Sequence, residues 1–489
     1  MSSISPASLP VAETRAPRPG AVVAVLAYAG ITAALMQTIV VPLIGQLPEL
    51  LDTSAANASW VITATLLSAA VATPISGRLG DLYGKRRMML VCAAVLIVGS
   101  VLCAVATSLT PMLVGRALQG AGMGLVPLGI SAMRDLLPAE KLGSSIALMS
   151  ASMGIGSAFG LPLAAAVAEH SNWRVLFWAA TGLAVVVLLL ILALIPATPI
   201  SASGSFDLIG GVGLTIGLVC FLLGVSKGAD WGWDSPLTLG LLAAALVVLL
   251  AWGWFELRVT DPLVDLRVTA TPVVLLTNVA SLVIGLAMYA QSLIVPQLLQ
   301  LPTSTGYGLG QDMLQMGLWM APGGIMMFVM SPLGARISRA RGPRITLALG
   351  AVVIAVGYLL AMTLMSSTWG LAIAVAVGSS GVALAYGAMP ALIMGSVPLS
   401  ETASANSFNT LMRSVGTSVS SAMVGVVLAQ MTTDVGGVTL PSKGGFTTGF
   451  VIGAVAAVAA ALVALTIPTR ASRTAESRIE HPATEPLEA

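Results

Sequence analysis

Charge is what this sequence most lacks. Of its 489 residues only 9% are Asp, Glu, Lys or Arg, while 57% are hydrophobic. A soluble domain carries about 25% charged residues, so this chain could not cover a water-facing surface. Histidine and cysteine are scarce too. His170 and His481 stand far apart, and Cys92, Cys103 and Cys220 lie singly in apolar stretches, without CxxC spacing. No metal or haem site can be assembled from them, and no cofactor is expected. No glycine-rich loop precedes Lys-Ser or Lys-Thr at Walker spacing, so energy from a bound nucleotide is not expected either. The short alternating segments of an outer-membrane barrel are missing. The net charge of +2 is spread over short basic clusters between apolar runs, which argues against a nucleic-acid partner.

What the chain does have is apolar runs of bilayer-crossing length, which is about 20 residues. Fourteen are expected, at about 21–47, 55–76, 88–108, 111–133, 142–168, 174–195, 208–226, 237–256, 273–299, 312–335, 345–366, 370–394, 404–430 and 447–468. Backbone groups in hydrocarbon must be satisfied within their own segment, so each run is expected to be a helix. The fold class is an all-α integral membrane protein with the lipid bilayer as its partner. Residues 1–20 form an N-terminal segment, 21–195 a first six-helix bundle, and 196–271 a linker with two additional helices. Residues 272–468 form a second six-helix bundle and 469–489 a polar, disordered tail. Arg78, Lys85, Arg86, Arg87, Arg134, Lys141, Arg258, Arg267, Arg336, Arg339, Arg341 and Arg344 fall on one side, against Arg174, Lys227 and Lys443 on the other. By the positive-inside rule, both termini are expected in the cytoplasm. Trp60, Trp173, Trp231, Trp233 and Trp369 then fall at the outer interface.

The two halves repeat each other. QTIVVPLIGQLP at 37–48 matches QSLIVPQLLQLP at 291–302, with Gln37, Val41, Pro42, Gln46, Leu47 and Pro48 in register with Gln291, Val295, Pro296, Gln300, Leu301 and Pro302. PISGRLGDLYGKRR from Pro74 matches PLGARISRARGPRI from Pro332, aligning Pro74, Arg78, Gly84 and Arg86 with Pro332, Arg336, Gly342 and Arg344. Two similar bundles joined in the middle are the mark of a secondary transporter that rocks one half against the other.

These motifs resemble the major facilitator superfamily. GRLGDLYGKRR (77–87) is similar to its signature loop between helices two and three, here Gly77, Gly80, Asp81, Gly84, Lys85, Arg86 and Arg87. LVGRALQGAGMG (113–124) resembles the helix-four motif with its buried arginine, Arg116. GIGSAFGLP (154–162) resembles the helix-five motif of exporters. Fourteen spans narrow the resemblance to drug:proton antiporters of the EmrB/QacA type. That implies a multidrug exporter of the bacterial cytoplasmic membrane, with small amphipathic molecules and protons as partners. The chain departs from the pattern twice: Leu161 separates Gly160 from Pro162, and Gln37 stands where many members carry an acid.

Asp81 reads as a latch pairing with nearby bases or a facing helix N-terminus, or else as part of a surface loop. Asp135 and Glu140, in the next loop, are expected partners for Lys85, Arg86 or Arg87. With Gly77 and Gly84 these residues form the expected gating set. Arg116 cannot release a proton itself but could act on a nearby acid, which makes it the proton-coupling candidate; its structural alternative is snorkelling to the interface. Gln37 and Gln291 are candidates for the substrate cavity or for helix–helix hydrogen bonds. Tyr289, Asn278, Asn406 and Asn409 are further cavity candidates, and Gly154, Gly156, Gly160 and Pro162 the helix-five hinge. Arg413 is expected near the cytoplasmic side, snorkelling or packed. No Asp or Glu falls clearly mid-span, which points to neutral or zwitterionic substrates. The expected protein is a monomeric exporter and not an enzyme. Export of one lipid or siderophore, or a sensor or scaffold role, are the alternatives.

Overall fold

The computed structural model describes residues 19–40, 43, 46–198, 200, 202–435 and 437–468. Most of the N-terminal segment, the tail, and Val41 and Pro42 of the repeat lie outside them. Among the described residues fourteen helices are long and apolar enough to cross a membrane. We label them α1 (Pro19–Thr38), α2 (Trp60–Tyr83), α3 (Lys85–Val105), α4 (Leu109–Leu136), α5 (Ala139–Val167, continuing to His170) and α6 (Arg174–Leu194). Next come α7 (Leu208–Trp231), α8 (Pro236–Glu256), α9 (Pro272–Gln300), α10 (Met313–Arg341), α11 (Pro343–Leu364), α12 (Thr368–Met394), α13 (Thr402–Gln430) and α14 (Lys443–Thr466). The protein is a multi-pass membrane protein of the expected all-α class.

Boundaries differ from expectation where a single glycine replaces a loop. α2 runs to Tyr83 and α3 starts at Lys85, so most of the signature 77–87 is helical and only Gly84 joins the two. Gly84 has φ 95° and ψ 129°, a conformation that a side chain disfavours. Its repeat partner Gly342, at φ 87° and ψ 153°, turns α10 into α11 in the same way. Asp135 likewise lies in the last turn of α4, and Glu140 in the first turn of α5, rather than in a loop. At the other extreme, α1 stops at Thr38 rather than at residue 47.

The repeat is structural as well as sequential. In each half the first helix packs on the fifth and sixth, the third on the fourth and sixth, and the second on the fourth. Arg86, at the start of α3, donates from Nη2 to the Leu192 carbonyl at the end of α6, 2.9 Å. Arg344, at the start of α11, donates likewise to the Leu465 carbonyl at the end of α14. Small residues allow the close crossings: a Cβ on Gly99 would lie 2.7 Å from the Gly115 carbonyl oxygen, and one on Gly350 2.7 Å from that of Gly381. Each bundle has its own apolar core.

The halves meet through two pseudo-symmetric seams, α2 with α13 and α5 with α10: the second helix of one bundle against the fifth of the other. The extra helices α7 and α8 pack on each other, and α7 lies against α2 and α13. A third apolar cluster fills that junction, including Ala70, Leu214, Leu218, Phe408 and Leu411. At the end away from the basic clusters, Lys227 near the end of α7 donates to Ser59 Oγ (2.5 Å), reaches Asp230 (2.9 Å) and lies over the Trp60 ring. A two-stranded hairpin, Thr432–Val435 with Val438–Pro441, covers the same end between α13 and α14.

Candidate functional site

The most developed polar site closes the α2–α13 seam at the basic end. Asp81 lies in the last turn of α2, just before Gly84, and is fully buried. Its two carboxylate oxygens accept from the backbone N–H groups of Ala403 (3.1 Å) and Ser404 (2.8 Å), in the first turn of α13. Those amides have no acceptor within their own helix, and an anion there also meets the positive end of the helix dipole. Lys85, also fully buried, lies 3.9 Å from Asp81 and 2.6 Å from Asp135. One acid thus bridges the bundles and a second balances the lysine between them.

Neighbouring contacts extend the closure. Arg134 donates to Thr402 Oγ1 (2.8 Å) and to the Val397 carbonyl (3.3 Å). Ser131 donates to the Thr402 carbonyl (3.2 Å), and Asn406 to that of Pro127 (3.2 Å). Gly77 lets α13 approach: a Cβ there would fall 2.4 Å from Ser407 Oγ. The linkers of the extra helices join in. The Ala202 N–H donates to the Asp81 carbonyl (3.1 Å), Thr198 Oγ1 accepts from the Arg86 N–H (3.1 Å), and Ser404 Oγ donates to the Leu263 carbonyl (3.2 Å). Beside this strap a pocket is lined by Arg78, Asp261, Asp265, Ser400, Glu401 and Ser404.

Of the expected gating set, the structure brings Gly77, Asp81, Gly84, Lys85 and Asp135 together. Arg86 points instead to α6, and Arg87 is exposed and outside the network. Glu140 makes no ion pair among the described residues. Sequence reasoning missed Arg134, Ser131 and the linker residues, since nothing in their local patterns marks a partner more than sixty positions away.

Arg116 is 1% exposed, which excludes snorkelling. It donates from Nη1 to the Met36 carbonyl (3.0 Å) and Gln119 Oε1 (2.7 Å), and from Nε to the Val61 carbonyl (3.3 Å). It therefore ties α4 to α1 and α2, and no carboxylate pairs with it among the described residues.

The expected cavity residues do not share one place. Gln37 is exposed, and among the described residues its amide reaches only Met123 Sδ, 3.8 Å away. Gln291, its sequence counterpart, is buried against α12 and donates to the Ala374 carbonyl at 3.4 Å, which joins α9 to α12. The repeat aligned the two residues, but α1 ends just beyond Gln37 while α9 runs nine residues past Gln291. Asn278 and Asn409 are also buried. Asn409 Nδ2 donates to Asn278 Oδ1 (2.9 Å) and Ser281 Oγ (2.7 Å), joining α9 to α13. Tyr289 is half-buried.

In α5 the four hinge residues face two ways. A Cβ on Gly156 or Gly160 would meet α1, at the Ile31 carbonyl (2.6 Å) and Thr38 Oγ1 (2.0 Å). Gly154 faces Met327 of α10, and Pro162 lies against Gly317 of the same helix. Arg413 lies eleven residues into α13, deeper than expected, with its guanidinium 4.5 Å from the centre of the Tyr386 ring.

Comparison with known proteins agrees with this architecture. The chain is 27% identical over 345 residues to the uncharacterised transporter YhcA of Bacillus subtilis, covering 70% of this chain and 64% of that protein. It is 28% identical over 407 residues to the uncharacterised transporter Rv1877 of Mycobacterium tuberculosis, covering 82% and 58%. The match thus spans about three fifths of each of these relatives. The multidrug transporter protein MdtP of Bacillus subtilis is 25% identical over 375 residues, covering 76% and 68%. Among solved structures, the human organic anion transporter MFSD10 superposes with a TM-score of 0.63 at 16% identity, covering 92% of this chain and all of that one. The proton:xylose symporter XylE does so with the same TM-score at 13% identity, covering 92% and 96%. At such identities the likeness is one of fold alone. A sequence model of the Major Facilitator Superfamily matches residues 26–421, and the chain belongs to that family.

Proposed function

We propose that this chain is a secondary active exporter that moves small amphipathic organic compounds out of a bacterial cytoplasm by proton antiport with alternating access. The observation that carries this reading is the Asp81 latch. It joins two separately packed bundles through a few buried polar contacts at one end of a pseudo-symmetric seam, which suits a reversible gate. The basic end faces the cytoplasm, as the excess of Lys and Arg there requires, so the latched form is the one closed to the cytoplasm. Both termini lie on that side. Relatives named for multidrug transport or resistance, MdtP of Bacillus subtilis and Stp of Mycobacterium tuberculosis, support efflux over uptake. One chain supplies both bundles and the seam, so the working unit is a monomer.

A proton reaching Asp81 would replace an ionised acceptor by a neutral one, weakening both bonds to α13 and freeing Lys85 towards Asp135 alone. That links protonation to opening. Arg116 acts by holding α1, α2 and α4 together during the movement. The test is efflux of neutral, cationic and anionic fluorescent dyes from pump-deficient cells expressing the chain, with and without a protonophore. Efflux of at least one dye that needs the chain and stops with the protonophore is expected. Arg116→Ala should slow it at least tenfold, an estimate of about 1.4 kcal/mol. A membrane-inserted chain that exports no dye would overturn the broad-exporter reading.

A further inference from the structure

The middle of the membrane-crossing region contains cations without anions. Across all fourteen spans, acidic residues stand only near helix ends, as Asp81, Asp135, Glu140, Glu169, Asp230, Glu256 and, at the start of α13, Glu401. Two arginines go deeper. Arg116 is surrounded by three oxygen acceptors. Arg413 is not: its guanidinium forms no hydrogen bond or ion pair among the described residues and lies over the Tyr386 ring.

The backbone holds Arg413 at that depth. At 1.5 Å per residue it lies about 16 Å from the start of α13, well inside a hydrocarbon layer of about 30 Å. α13 cannot slide to relieve it, because α9 touches it backbone to backbone. A Cβ on Gly285 would fall 2.2 Å from the Arg413 carbonyl oxygen, and one on Gly416 1.9 Å from that of Leu282. Tyr386 is fixed as well: its hydroxyl donates to Met288 Sδ (3.1 Å) on α9, and its carbonyl accepts from Ser150 (3.2 Å) on α5 of the other bundle. Arg413 and Tyr386 are thus placed where α5, α9, α12 and α13 converge, between the two halves. Both are half-buried, and Tyr386 and Gly387 interrupt an otherwise buried stretch of α12. A cation over an aromatic ring gains less than the cost of removing an ionised group from water. The guanidinium fork therefore has unused donors suited to two oxygens of one acid group.

We propose that Arg413 and Tyr386 form the anion-binding end of the substrate site, and that the exported compounds are amphipathic organic anions such as carboxylates, sulfonates or phosphate esters. Arg413 binds the acid group, while the Tyr386 ring and Met288 provide apolar surface beside it. This replaces the neutral or zwitterionic substrates expected from sequence with anionic ones, and it rests on the export reading above.

The test separates binding from transport. Binding of fluorescein, an amphipathic anion, to the purified full-length protein in detergent is followed by fluorescence anisotropy, with ethidium as the cationic comparison. Fluorescein is expected to bind the wild type more tightly than ethidium. Arg413→Gln should weaken it at least tenfold and Arg413→Lys by less, with ethidium binding unchanged or improved in Arg413→Gln. If Arg413→Gln does not remain monodisperse, Tyr386→Leu should weaken fluorescein binding several-fold. Preference for ethidium, no fluorescein binding, or equal fluorescein affinity in wild type and the variant would each overturn the proposal. Protonophore-sensitive fluorescein movement in proteoliposomes is then read separately. If binding behaves as expected but fluorescein is not moved, the export reading fails while the anion site stands.

Discussion

Asp81 sits where a carboxylate is useful only in its ionised form, accepting two backbone N–H groups at the start of another bundle's helix. Hydrogen bonds to a charged group contribute about 1.5–3 kcal/mol each. Asparagine keeps the shape but turns one acceptor into a donor facing an amide that also donates. Asp81→Asn is therefore expected to cost the closed form about 2 kcal/mol, roughly thirtyfold in the ratio of closed to open. Distances between nitroxides at Tyr83→Cys and Leu399→Cys, both exposed in the native protein, would show a longer population at the basic end. An unchanged distribution would mean that Asp81 does not hold the seam. The native cysteines, two of them buried, would be replaced in this background. Asp81, Lys85 and the need for a partner were legible in the sequence. The identity of that partner, the amides of Ala403 and Ser404, was not: a backbone donor leaves no residue signature, and it lies more than three hundred positions away.

Among the elements, the glycines at the ends of α2 and α10 carry the turn. Their positive φ allows one residue to reverse direction between two membrane helices, and holding another residue in such a conformation costs about 1–3 kcal/mol. Gly84→Ala and Gly342→Ala are both expected to lower thermal stability in detergent, by similar amounts because the two turns are alike. A large loss in one and none in the other would show that the repeat is not matched in energy at this turn. Here the sequence was a good guide, since Gly84 and Gly342 aligned together with Arg86 and Arg344; the glycines repeat their backbone conformation and the arginines their contacts. The Gln37–Gln291 alignment was a poor one. Identical letters reached different surroundings because α1 ends soon after its glutamine, while α9 continues and buries its own.

At the scale of the whole molecule, the basic end and the Asp81 contacts coincide, so the proposed gate and the proposed orientation in the membrane are tested together. Lys141 near the start of α5 and Ser171 just beyond its end are both exposed and lie at opposite ends of one helix. In intact cells, a membrane-impermeant thiol reagent is expected to label Ser171→Cys, and to label Lys141→Cys only after permeabilisation. The reverse pattern would invert the assignment of the latched form as closed to the cytoplasm. The sequence by itself determined the number of helices, their all-α class, the twofold repeat and the clustering of charge at one end. These follow from local composition, since a chain this apolar must satisfy its backbone within each span. Only the tertiary structure decided that α2 meets α13 and α5 meets α10, that the linkers of α7 and α8 strap the α2–α13 seam, and that Arg413 faces Tyr386 with no acid paired to it among the described residues. Such contacts depend on which helix faces cross at a given depth, and residues far apart in the chain share no local pattern that records it.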